Sequence, residues 1–192
     1  VHVVPEALDG GPIARVRERR PATPVFCDPV IGDDPKGLYV DVEVAEAIRD
    51  RLLPMATFVK PNRFELSWLT GRDVRTVADA TEASAALGTR CVIATSVPVG
   101  PDRIANVMSI GGQQAQCIVQ RRLRAPQGTG DLLAALFLGH ILNGQSEIEA
   151  LGRSVAGVDA ALVASDGRDE LVMTATETSS FVTVPAKSVE IF

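Results

Sequence analysis

Short apolar runs that end on an acid, an amide or a hydroxyl, each followed closely by a helical pattern, constrain this chain more than any other feature. Val25-Phe26-Cys27 lies between Pro24 and Pro29 and delivers Asp28. Thr57-Phe58-Val59 is stopped by Pro61, and Asn62 then caps a helix carrying Phe64, Leu66, Trp68 and Leu69, closed by Gly71. Val42 to Leu53 has helical spacing behind Asp41 as N-cap, and Thr76 to Leu87 reads as another helix. Arg90 to Thr95 is a β-branched run of the kind found in buried strands. Strands that alternate with helices across short links predict an α/β fold, a mostly parallel sheet covered on both faces. In such sheets ligands sit beyond the carboxyl ends of the strands. Asp28, Asn62, Glu65, Thr95 and Asp131 all fall at or just after predicted strand ends or at helix starts.

The sharpest local signal lies further on, in Pro126-Gln127-Gly128-Thr129-Gly130-Asp131 followed by Leu132-Leu133-Ala134-Ala135-Leu136-Phe137. Two glycines let the backbone turn tightly, and the apolar run reads as the start of a helix reaching about Leu142. A helix start leaves N–H groups unpaired, which suits a phosphate. Asp131 can then act as a base on an attacking hydroxyl while the N–H groups of Gly128, Thr129 and Gly130 hold the transferred phosphoryl. The competing reading is an acid that merely complements the helix dipole.

The other candidates carry similar pairs of readings. Asp28 is either a turn-initiating aspartate held by Pro29 or a carboxylate facing phosphate and Mg²⁺. Asn62 and Glu65 stand three apart on one helical turn, as a capping pair and as hard oxygens that serve Mg²⁺ through water. Thr95-Ser96 touches nucleotide phosphate or simply opens a turn. Ile104–Ile110 and Gln114–Arg122 flank Gly111-Gly112 as a hairpin. Ser146 to Val163 reads as a helix with Ser146 and Glu149 in a capping box. Leu171 to Phe192 alternates too weakly to assign.

Bulk properties narrow the function classes. With 192 residues, 46% of them hydrophobic, the chain can bury one good core, so a single domain over residues 1–192 is expected. A net charge of -5 favours neither nucleic acid nor an anionic membrane as partner. The basic run from Arg15 to Arg20 reads as a solvated helix end. Cys27, Cys91 and Cys117 form no CxxC pair and read as buried free thiols of a reducing compartment. No structural zinc site is expected from them. No apolar run approaches the length of a membrane span and no leader is evident, so a cytoplasmic location is expected. His140 reads as structural and Trp68 as a core ring.

Three ordered motifs resemble the ribokinase-like superfamily and, within it, the pyridoxal kinases. They are Phe26-Cys27-Asp28-Pro29-Val30-Ile31-Gly32 with Lys36-Gly37, then Lys60-Pro61-Asn62-Arg63-Phe64-Glu65-Leu66-Ser67-Trp68-Leu69-Thr70-Gly71, and finally Gly128-Thr129-Gly130-Asp131-Leu132. The resemblance spans about residues 24 to 163 and implies a three-layer α/β/α fold lacking its N-terminal third. It implies an ATP- and Mg²⁺-dependent kinase of the pyridoxal 5′-hydroxymethyl group, also accepting pyridoxine and pyridoxamine, with a monovalent cation as a further expectation. Asp131 resembles the base, with Gly128 and Gly130 forming the anion hole. Asp28, Lys60, Asn62, Glu65 and Thr95 resemble the residues on the nucleotide side, with Asp28 and Glu65 toward the metal. A homodimer is implied for the complete protein. The alternatives are a hydroxymethylpyrimidine or sugar kinase of the same superfamily, or a truncated kinase-like fold that only binds. Hydroxymethylpyrimidine kinases commonly carry cysteine where this chain has Asp131.

Overall fold

The computed structural model describes residues 15–16, 18–122, 125–173 and 180–192. They group into two compact units, one running to Pro101 and including Ala105–Gln114, the other made of Asp102–Ile104 and the chain from Ala115 onward.

The first unit is the alternating part. Its elements are β1 (Phe26–Cys27), β2 (Gly32–Asp33), β3 (Gly37–Leu38), α1 (Val42–Ala47), β4 (Phe58–Val59), α2 (Arg63–Thr70), α3 (Val77–Ala86), β5 (Cys91–Val99) and most of β6 (Arg103–Ile110). β1, β4 and β5 lie side by side in parallel, with Phe26 opposite Phe58 and Phe58 opposite Cys91. β6 follows β5 across a connection too short for anything but an antiparallel neighbour, so the sheet is mixed. Gly111 (φ 56) and Gly112 (φ 83) supply the two positive φ angles that a two-residue hairpin turn needs. Ser109 Oγ donates to Gln114 Oε1 beside that turn at 2.5 Å.

Helix starts follow the cap chemistry with informative exceptions. Asn62 and Glu65 form a complete capping box ahead of α2, and Thr76 with Asp79 forms another ahead of α3. Asp41 stands at the N-cap of α1 but its side chain makes no capping bond. The helix expected over Val42 to Leu53 stays α-helical only to Ala47, then widens to π-type bonding over Ile48–Leu52 and tightens to a 3-10 turn over Leu53–Met55. Pro54 explains this: it has no N–H to donate, and its ring would collide with the carbonyl one turn back. Ile31, Ala45, Ile48, Leu52, Leu53, Val59 and Leu69 form the core here. Trp68 packs against that core half-buried, with the Arg49 guanidinium 5.5 Å from its ring centroid.

The second unit holds the remainder of β7 (Gln113–Gln120), α4 (Thr129–Leu142), α5 (Glu147–Ala164) and β8 (Glu190–Ile191). β8 pairs antiparallel with β7, Ile191 opposite Ala115. α4 and α5 pack on each other around Leu132, Leu136, Ala161 and Phe181. At the start of α5 only half of the expected capping box exists: Ser146 Oγ accepts from Glu149 N–H, while the Glu149 carboxylate is held 3.1 Å from Arg153 instead. Cys27, Cys91 and Cys117 form no disulfide; Cys91 and Cys117 are buried, whereas Cys27 is only half-buried. Among the described residues no helix is long and apolar enough to cross a membrane.

Candidate active site

The parallel register of the first unit sets its polar cluster. Cys27 is opposite Val59, so the next residues, Asp28 and Lys60, come opposite each other just past the strand ends. Lys60 Nζ lies 3.1 Å from Asp28 Oδ2, with the lysine 5% exposed and the acid's side chain 19% exposed. Val59 is opposite Val92, and continuing that register brings Asn62 opposite Thr95 in an isolated parallel bridge, with Thr95 N–H donating to the Pro61 carbonyl at 2.9 Å. Asp28, Lys60, Asn62, Glu65 and Thr95 are therefore brought together by three neighbouring parallel strands and the helix start that follows one of them.

Glu65 organises the loop that leaves β1. Its Oε1 accepts the Ile31 N–H at 2.9 Å and its Oε2 accepts the Asn62 N–H at 2.8 Å. Asn62 in turn accepts from Glu65 N–H with Oδ1 and donates from Nδ2 to the Gly32 carbonyl at 2.7 Å. Arg63 adds an ion pair to Asp34 and a hydrogen bond to the Val74 carbonyl. A Cβ at Gly32 would run into the Phe64 ring and the Gly37 carbonyl oxygen, so only glycine lets the β2–β3 ribbon lie this close to α2. Burial pushes the Glu65 carboxyl above its usual range; the like charge of Asp28 adds to this, and the two N–H donors and Lys60 oppose it. Burial, then the charges of Asp28 and Glu65, push the neighbouring Cys27 thiol up to about 12.

Among the described residues of this unit, two that are not glycine have positive φ, Val30 at 46° and Ser96 at 61°. They follow Asp28 and Thr95 closely, which is where backbone strain tends to gather at functional sites.

The second group of expected residues belongs to the other unit. Gly128 is the N-cap of α4 with φ 87°, a conformation that a side chain at that position would strain. Thr129 Oγ1 donates back to the Pro126 carbonyl at 2.7 Å, so its hydroxyl closes the turn. Leu132 N–H makes the first bond of the helix, to the Gly128 carbonyl at 2.9 Å. The N–H groups of Thr129, Gly130 and Asp131 thus precede the first intrahelical bond, at the positive end of a 14-residue helix. Gly128, Gly130 and Asp131 are exposed there. Such an end binds anions, and Asp131 sets an acceptor beside it.

Among the described residues no three His, Cys, Asp or Glu side chains converge as a cage for a metal ion. Mg²⁺ does not require one, because it takes one or two carboxylates, waters and substrate phosphates. The partly exposed Asp28 carboxylate fits such a position. Glu65 is 3% exposed and each of its oxygens already accepts a backbone N–H, so its carboxylate serves the loop first. The Asp28–Lys60 pairing was open to sequence reading only through matched spacing, each residue standing one place past its strand.

The phosphomethylpyrimidine kinase family model matches residues 12–173. The pyridoxine/pyridoxal/pyridoxamine kinase of Bordetella avium is 41% identical over 140 residues, covering 70% of this chain and 47% of that protein. The chain spans about half the length of the curated relatives it matches. Pyridoxal kinase from Entamoeba histolytica superposes with a TM-score of 0.86 at 24% identity, covering 96% of this chain and 68% of the other. Pyridoxal kinase from Leishmania donovani, in complex with ADP and pyridoxine, superposes with a TM-score of 0.84 at 26% identity, covering 95% and 68%. These likenesses give this chain the ribokinase-like α/β fold.

Proposed function

The chain belongs to the phosphomethylpyrimidine kinase family of the ribokinase-like superfamily, and we propose that it is the C-terminal two-thirds of an ATP-dependent pyridoxal kinase. The acceptor is the 5′-hydroxymethyl group of pyridoxal, with pyridoxine and pyridoxamine as further substrates, and the product is the 5′-phosphate used in vitamin B6 salvage. The observation that carries this reading is the exposed Asp131 carboxylate in the first turn of α4, within a stretch of chain similar to pyridoxal kinases.

In this reading residues 1–192 form one kinase domain. Asp131 accepts the proton of the attacking hydroxyl, and its position in the first helical turn keeps it beside the developing negative charge. N–H groups of the Gly128–Gly130 turn hold the transferred phosphoryl, and the alignment of the peptide dipoles of α4 supplies further stabilisation. Lys60, Asn62 and Thr95 face the phosphate tail of the nucleotide. Asp28 and Glu65 would hold Mg²⁺, Asp28 with a partly exposed carboxylate. When bound, the ion neutralises charge on the phosphates. The complete protein is a cytoplasmic homodimer.

A second reading keeps this chemistry and takes a hydroxymethylpyrimidine as acceptor, because the matching family model is described as a phosphomethylpyrimidine kinase. One experiment separates them: the chain is incubated with ATP and Mg²⁺ and with each acceptor in turn, and products are read by mass. Conversion of pyridoxal to its 5′-phosphate, lost in Asp131→Asn, is expected. Conversion of the pyrimidine alone would replace the first reading by the second.

A further inference from the structure

The cluster around Asp28 contains its own cation. Lys60 is 5% exposed and its ammonium sits 3.1 Å from Asp28 Oδ2. The pairing is fixed by the backbone, because both residues follow register-matched partners of neighbouring strands and Lys60 N–H donates to the Cys27 carbonyl at 3.0 Å. A buried ammonium needs a counter-charge, and here the nearest one is the same carboxylate that suits a divalent ion.

Two cations cannot share Asp28 without repelling each other, unless further negative charge enters between them. A polyphosphate brings that charge. Building on the kinase reading, we propose that Lys60 is a resident counter-ion that closes Asp28 to free divalent cations, so that the ion is taken up only together with the nucleotide's phosphates. Lys60 is thereby a positioning residue: it keeps the carboxylate in place while the site is empty of nucleotide and turns to the phosphate oxygens when they arrive. The ion then enters as a complex with the nucleotide.

The test is direct Mn²⁺ binding, by titration calorimetry and by the loss of free-ion paramagnetic signal, on the full chain. Wild-type protein alone is expected to show no saturable Mn²⁺ site at millimolar concentration, and to gain one when a non-hydrolysable ATP analogue is added. Lys60→Met is expected to bind Mn²⁺ without nucleotide at least about tenfold more tightly than wild type, Lys60→Arg to behave like wild type, and Lys60→Met with Asp28→Asn to lose the gain. A tight Mn²⁺ site in nucleotide-free wild type would overturn the proposal, and that measurement needs no variant to fold. Equal Mn²⁺ affinity in folded Lys60→Met and wild type would overturn it as well. Either result beside intact pyridoxal turnover leaves the kinase reading standing, whereas absent nucleotide binding and turnover would count against that reading instead.

Discussion

Glu65 Oε1 accepts the backbone N–H of Ile31 at 2.9 Å, tying the first turn of α2 to the loop that carries Asp28. The same side chain's other oxygen accepts the Asn62 N–H, so one buried carboxylate satisfies two backbone donors from separate segments. Its burial is costly to the charge, as the raised pKa shows, and is tolerated because both oxygens are bonded.

That arrangement makes Glu65→Gln informative. An amide of the same shape must turn its NH₂ toward one of the two N–H groups, which leaves a buried donor without an acceptor. A loss of about 1–3 kcal/mol is expected, read as a lower urea midpoint at unchanged slope. A midpoint equal to wild type would mean that the two bonds contribute nothing net.

Two helical glycines should respond in opposite directions to alanine. At Gly157 a Cβ would come 2.7 Å from the Phe181 carbonyl oxygen and 2.7 Å from Leu136 Cδ1, so the close approach of the tail to α5 depends on its absence. Gly157→Ala is expected to destabilise by about 1–3 kcal/mol. At Gly139, inside α4, a Cβ meets nothing within 4 Å. Gly139→Ala is expected to stabilise by about 0.5–1 kcal/mol through helix propensity. Thermal melts of the two variants check both signs.

Asp159 should contribute stability that disappears in acid. Burial is the largest single influence on its carboxyl and raises the pKa, but the hydrogen bonds and charges of Lys187 and Arg122 together outweigh it, leaving the group below its ordinary value of 3.8. Lys187 Nζ is 2.7 Å from Asp159 Oδ2 and Arg122 2.9 Å from Oδ1. A carboxyl lowered in the folded state stabilises above its unfolded pKa and ceases to do so as pH falls through the folded value. Asp159→Asn is expected to cost about 1 kcal/mol near neutrality and almost nothing near pH 2. Denaturant midpoints across that range check it; a cost that does not change with pH would remove the electrostatic explanation.

Cys27 should be inert despite being half-buried rather than fully buried. With its thiol pushed up to about 12, the thiolate is scarce at ordinary pH, and Cys117, raised to about 11 chiefly by burial, behaves similarly. Alkylation by iodoacetamide at about pH 8 is expected to be at least about a hundredfold slower than for an exposed cysteine, followed by intact mass. Rapid single labelling at Cys27 would contradict the assigned environment.

Much of the first unit was legible because local chemistry decides it. Asn62 with Glu65 carries its own capping box, and Gly111-Gly112 its own turn. Asp28 and Lys60 fell one place past their strands because parallel strands deliver their ends to one side, whereas Thr95, expected at a strand end, lies inside β5 (Cys91–Val99). What escaped was decided at long range or by a single breaker. Pro54 altered the winding of five residues before it, a stretch whose apolar spacing still looked helical. Glu149 preferred Arg153 one turn ahead to its own cap, and spacing alone cannot rank those two bonds. Phe181 and β8 find their partners in α4, α5 and β7, so no period within Leu171–Phe192 announces them. The β2–β3 ribbon depends on Gly32 fitting under Phe64, a contact with no signature in either segment.

The common register of β1, β4 and β5 acts as a ruler with marks one residue apart. Outside the Asp28–Gly32 and Lys60–Glu65 stretches, links between these strands can lengthen or shorten in descent or by design without disturbing the polar cluster, because they do not set the spacing. A single residue inserted within Phe58–Val59 would instead rotate Lys60 to the opposite face of the sheet and present a different side chain to Asp28. Tolerance to change in this unit is therefore divided sharply, generous in the loops away from Gly32 and Asn62 and almost nil across two residues of β4.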